Sequence, residues 1–233
     1  MGRLAAIGFD ADDTLWHNER AFQLTQTRFA ELLADFAAPD HLQDRLLAAE
    51  RRNLGHYGFG VKGFVLSMIE TAIEVTDARV PAAVIGELVR AGQEMLLHPI
   101  ELLPGAEAAV AALAGRYRLV LVTKGDLLDQ ERKLAQSGLG DLFDAVEIVS
   151  DKRPDVYAQV FARHGEGAAR ALMAGNSLKS DVLPMIAAGG YGVHIPHALT
   201  WALEHEAAPD AEPLFRHLAD IRELPTLVAE LDA

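Results

Sequence analysis

Asp10 and Asp12 stand one residue apart at the end of a short apolar run, with Asp13 and Thr14 directly behind them. A carboxylate so placed can attack phosphorus in line, giving an aspartyl-phosphate that water later breaks. An extended chain projects alternate side chains to the same side, so Asp12 can reach the leaving oxygen, protonate it as an acid and then activate water as a base. Phosphate esters resist hydrolysis because attack on an anion is disfavoured and an alkoxide leaves poorly, so such a site must also supply positive charge. Three more polar clusters offer what is missing: Thr123-Lys124-Gly125-Asp126, Ser150-Asp151-Lys152, and Gly175-Asn176-Ser177 with Asp181 beyond. Each also has an ordinary reading. Asp13 belongs to a turn, Asp181 is placed to cap a helix, and Arg153 competes with Lys152 but reads with Pro154 and Asp155 as a helix entry.

The elements that would carry these clusters alternate. Leu4–Phe9 is a continuous apolar run that stops at Asp10, as a strand buried on both faces does. Arg118–Thr123, Ala145–Val149, Ala171–Ala174 and Gly192–Ile195 read as further strands. Helices read at Pro104–Gly115, Asp126–Ser137, Pro154–His164 and Asp181–Ala188, each of them closed by glycine. Such βα succession predicts an α/β fold, a doubly wound, Rossmann-like parallel sheet with helices on both faces. In open parallel sheets ligands bind beyond the carboxyl ends of the strands, where all four clusters fall. Residues 17–97 break the succession with helical periodicity: Phe22, Phe29, Leu32, Leu33 and Phe36 on one stripe, Val61, Phe64, Val65, Met68, Ile69 and Ala72 on another, and Pro81 in a first helical turn. The expected organisation is a discontinuous core, 1–16 plus 98–233, with an all-helical insertion at 17–97. A last helix reads at Thr226–Leu231, and the stretch beyond Pro196 is ambiguous apart from a turn of helix near Trp201.

The order and types of these clusters resemble the haloacid dehalogenase-like superfamily, most of whose members are phosphatases. Phe-Asp-Ala-Asp-Asp-Thr-Leu is similar to its DxDx[TV] motif, Thr123 to its second motif, Lys152 to its third, and Gly175-Asn176 through Asp181 to its fourth, GDxxxxD, with Asn176 in place of the first aspartate. The resemblance implies Asp10 as nucleophile, Asp12 as acid and base, and a helical cap that sets specificity. Lys152 would lie on the phosphoryl oxygens and shield Asp10. Thr123 and the backbone amides of Lys124 and Gly125, at a helix start, would hold the other oxygens. Carboxylates crowded in one pocket repel one another and the substrate, so the charge requires a divalent cation, and an all-oxygen site suits Mg²⁺. Asp10, Asp181 and the backbone carbonyl of Asp12 would ligate it. Asn176 either meets the metal, directly or through water, or orders its loop.

The expected activity is hydrolysis of a small phosphorylated metabolite. A phosphomutase would share every core motif, whereas a dehalogenase releases halide unaided and has no need of Asp12. A non-catalytic phospho-receiver gathers similar residues but places its aspartate on a later strand and lacks an insertion. Against 34 acidic residues the chain has 21 basic ones, a net charge of -13 in 233 residues that disfavours nucleic acid and anionic membrane as partners. No cysteine is present, which excludes disulfides and thiolate chemistry. The first apolar run is too short for a signal peptide, so the expected location is cytoplasmic. Substrate identity and oligomeric state are not written in these patterns.

Overall fold

The computed structural model describes residues 4–233; the first three residues of the expected core segment lie outside them. It divides into two compact units. One takes in the described residues up to Glu19, Ile100–Lys124 and Gln130–Ala233; the other takes in Arg20–Pro99 and Gly125–Asp129. The boundaries thus fall a few residues beyond those read from periodicity, and the short stretch 125–129 groups with the helical unit.

The core unit is built on six parallel strands: β1 (Ala6–Phe9), β2 (Arg118–Lys124), β3 (Ala145–Val149), β4 (Ala171–Gly175), β5 (Tyr191–His194) and β6 (Phe215–His217), in the spatial order β3-β2-β1-β4-β5-β6. Ile7 pairs with Leu119 on one side and Leu172 on the other, so β1 is central and its sequence is apolar throughout. Alternate residues of each strand enter opposite layers. Ile7, Phe9, Leu119, Leu121, Leu172 and Ala174 pack with the helices α5 (Ala106–Leu113) and α9 (Leu224–Asp232). Ala6, Val120, Val122, Ala171 and Met173 pack instead with α7 (Pro154–His164) and α8 (Leu183–Ala187). That two-sided burial makes the sheet doubly wound. α6 (Leu127–Ser137) runs between β2 and β3. β6 was not anticipated from sequence.

The second unit is helical: α1 (Glu19–Leu32), all but its first residue, with α2 (Pro39–Tyr57), α3 (Val61–Val75) and α4 (Ala82–Leu97). Phe29, Leu33, Leu42, Leu46, Phe64, Met68 and Leu88 form a core of their own. Two details differ from expectation. α1 stops at Leu32, leaving Phe36 exposed, and Pro81 is the extended N-cap of α4 rather than part of its first turn. Among the described residues no helix is long and apolar enough to cross a membrane.

Candidate active site

The strand order reverses at β1, whose neighbours are β2 and β4, the kind of point at which open α/β sheets bind ligands. Asp10 stands at that point. Its backbone N–H continues the ladder to the Ala174 carbonyl at 2.9 Å, so its side chain starts from a fixed place. Lys152, three residues past β3, brings a buried ammonium onto Asp10 Oδ1 and, at 2.7 Å, onto Asp181 Oδ1. Arg153 meanwhile caps α7 and pairs with Asp155 at 3.1 Å on the exposed side. Burial and the Asp181 carboxylate push Asp10 up to about 7 against the pull of Lys152. Burial alone would lower Lys152, but Asp10 and Asp181 outweigh it and hold the ammonium charged.

Asp181 does not cap a helix, as the sequence had suggested. It sits within a π-helical turn, Leu178–Val182, whose N-cap is Ser177, and its Oδ2 accepts the Ser177 N–H at 3.0 Å. A Cβ on Gly175 would lie 2.3 Å from Asp181 Oδ2, so only glycine lets the carboxylate lie against the end of β4. Thr14 joins the two loops. Its hydroxyl donates to Asp10 Oδ2 at 3.0 Å and accepts the Asn176 N–H at 3.0 Å, with Asn176 Oδ1 at 3.4 Å.

Asp12 lies in a separate cage. Its carboxylate accepts from Trp16 Nε1 at 2.7 Å, Gln130 Nε2 at 2.8 Å and Lys133 Nζ at 3.0 Å. Burial would raise its pKa, but Lys133 and these donors overcome that and hold it below the usual value. In this arrangement Asp12 is a carboxylate, the form of a base rather than of the acid expected first. Thr123 is buried near the end of β2. The amides of Lys124 and Gly125 depart from expectation: Lys124 closes β2 opposite Val149, Gly125 belongs with the other unit, and α6 begins only at Leu127. The Lys124 side chain is turned to Ser180 Oγ and Glu204 Oε1, at 2.7 and 2.6 Å.

The family model for haloacid dehalogenase-like hydrolases matches residues 4–189, which span every group just described except Glu204. The chain belongs to the haloacid dehalogenase-like hydrolases. A haloacid dehalogenase-like family hydrolase from Xanthomonas campestris shares 44% identity with it over 99% of this chain and 93% of that one, at a TM-score of 0.89. Two more distant structures share the fold. YfnB of Bacillus subtilis, solved with magnesium bound, is 18% identical at a TM-score of 0.67, covering 99% of this chain and 100% of its own. The L-2-haloacid dehalogenase of Xanthobacter autotrophicus is 19% identical at 0.68, covering 97% and 98%. No curated protein matches the chain.

In this hydrolase four side chains beside the site escaped sequence reading: Gln130, Lys133, Tyr157 and Glu204. Gln130 and Lys133 could have been found, because they fall three apart on α6 and are buried, on a face that an ordinary amphipathic helix fills with apolar groups. Tyr157 lies in α7 and donates its hydroxyl to the Ser180 carbonyl at 3.0 Å. The donor set suits a hard cation. Asp10 and Asp181 present two buried carboxylates to the ammonium of Lys152, and burial together with the Asp181 charge raises the Asp10 pKa. A second cluster, Asp13 with His17 and His197, has carboxylate and ring atoms within 4.8 Å of one another. Both Asp13 oxygens already accept backbone N–H groups from Asn18 and Glu19, and His197 Nδ1 lies 2.9 Å from the Leu199 carbonyl, so the cluster fastens the loop after β1.

Proposed function

We propose that this hydrolase is a Mg²⁺-dependent phosphatase acting on small phosphate monoesters through an aspartyl-phosphate on Asp10. The observation that carries the reading is the pairing of Asp10 with Asp12 at the switch point. A leaving alkoxide needs a proton, and Asp12 is the group two residues on that can give one. A halide needs none, which disfavours dehalogenation.

Asp10 Oδ attacks phosphorus while the bond to the ester oxygen breaks, and that oxygen takes the proton of Asp12. Asp12 then removes a proton from water as the water oxygen attacks phosphorus, and the Asp10–phosphorus bond breaks. The hold of Lys133, Gln130 and Trp16 on Asp12 favours the second half of this cycle, so Asp12 must be drawn from Lys133 to carry a proton in the first. Lys152 keeps Asp10 aimed and adds positive charge to the transferring group. Magnesium would be held by Asp10, Asp181 and the Asp12 carbonyl, with Asn176 as a neutral direct or water-borne ligand, and would supply the charge that draws the phosphate in and polarises it. Thr123 is the side chain assigned to the remaining phosphoryl oxygens.

The test is release of phosphate from p-nitrophenyl phosphate and a panel of small esters, with Mg²⁺ or with chelator, alongside a panel of 2-haloacids. Mg²⁺-dependent phosphate release is expected. Halide release without phosphate release would replace this reading with dehalogenation, and isomerisation of a sugar phosphate without net release would replace it with a mutase.

A further inference from the structure

Glu204 takes no part in that scheme, yet only 13% of its side chain is exposed and both oxygens are engaged. Oε1 accepts from Lys124 Nζ at 2.6 Å; Oε2 accepts from the hydroxyls of Ser177 and Ser180, each at 2.5 Å. The proton directions close in one way. Ser180 Oγ accepts from Lys124 and donates to Glu204, while Ser177 Oγ accepts the Ser180 N–H at 2.9 Å and also donates to Glu204. That pattern requires an ionised Glu204. Its short 3₁₀ helix, Ala202–Glu204, is gripped once more where Lys179 Nζ donates to the Leu203 carbonyl at 2.7 Å.

The serines are the chain neighbours of two groups in the site. Ser177 follows Asn176 and donates its N–H to Asp181, Ser180 precedes Asp181, and Lys124 follows Thr123. The turn they sit in is irregular: the N–H groups of Asp181 and Val182 converge on the one carbonyl of Ser177, at 2.9 and 3.2 Å. A turn of this kind, which backbone bonding alone does not regularise, keeps its side chains aimed only if something else fixes it. We propose that Glu204 is a positioning residue that ties this turn to the end of β2, and thereby sets the affinity of the Asp10–Asp181 site for its divalent cation. The proposal rests on the reading of that site as a cation site.

Mg²⁺ is titrated calorimetrically into wild type, Glu204→Gln, Glu204→Asp and Ser180→Ala, at a temperature where circular dichroism finds each folded. Hydrolysis of p-nitrophenyl phosphate is followed in parallel as Mg²⁺ is varied. Glu204→Gln is expected to bind Mg²⁺ about tenfold more weakly, as groups behind metal ligands typically do, and to need correspondingly more Mg²⁺ for half-maximal rate while kcat at saturation changes little. Glu204→Asp keeps the charge and binds closer to wild type, with Ser180→Ala between the two. If Glu204→Gln does not fold, the aspartate and alanine variants carry the comparison. Unchanged Mg²⁺ affinity in the folded variants, whatever their melting temperatures, overturns the proposal, as does a loss of kcat at every Mg²⁺ concentration. Wild type that binds Mg²⁺ but hydrolyses nothing sinks the phosphatase reading alone, because the calorimetric comparison still decides this one; wild type that binds none overturns both.

Discussion

Among the described residues, Lys152 is the cation on which two buried carboxylates, Asp10 and Asp181, close. Removing one member of a buried ion cluster leaves uncompensated charge, which typically costs about 3–5 kcal/mol. Lys152→Ala should therefore lose stability of that order in urea unfolding with chelator present, and Mg²⁺ should restore part of it; a loss that Mg²⁺ leaves untouched would argue against a cation at these carboxylates. Gly175→Ala tests the packing from the other side. The added methyl would meet Asp181 at 2.3 Å, so stability should fall by about 1–3 kcal/mol and Mg²⁺ binding should weaken with it. Retention of wild-type Mg²⁺ affinity would show that Asp181 has room to move. Asp10, Lys152 and Asp181 were legible because each lies in the stretch that follows a strand's carboxyl end. Glu204 was not, since it acts through a long side chain arriving from elsewhere in the chain, a pairing that no local spacing encodes.

At the scale of elements, the strands β1 to β5 and their helices are written in apolar runs and glycine stops, but two pieces are not. β6 has three residues, Phe215, Arg216 and His217, too few for alternation to register, and it is an edge strand held only by β5. The π-turn at Leu178–Val182 carries the pattern of an ordinary helix start; what distinguishes it is the network around Glu204, which is tertiary. That network has a pH signature. Burial would raise the Glu204 pKa, but Lys124 and the two serine hydroxyls lower it below the ordinary 4.5. A carboxylate whose folded pKa is depressed adds stability that is fully present above the unfolded value and is lost as pH falls through the folded one. The stability difference between wild type and Glu204→Gln should accordingly be constant above about pH 5 and shrink below about 4.5 in urea titrations. A difference that grows on acidification would contradict the assignment.

Over the whole molecule the parallel sheet and its two-sided packing follow from what local patterns already imply, whereas the strand order does not, and the two units have boundaries a few residues from those read from periodicity. Residues 125–129 group with the helical unit although they are contiguous with β2, because side chains on either side of them pack differently: Lys62 reaches Asp126 at 3.2 Å within the helical unit, while Gln130 and Lys133 turn to Asp12 in the core. Periodicity reports which face of a helix is apolar and not which body receives it. The net charge of -13 bears on substrate as well as partners, since an anionic ester must approach an acidic protein and the site has to offer local positive charge to admit it. The central claim is that the phosphoryl group passes through Asp10. The most direct measurement is to mix the enzyme with a small phosphate ester and Mg²⁺, quench in acid, and locate by peptide mass spectrometry any residue carrying one phosphoryl group. The modification should appear on Asp10 in wild type and vanish, together with turnover, in Asp10→Asn; hydrolysis by Asp10→Asn at the wild-type rate, or a phosphoryl group carried on another residue, would contradict it.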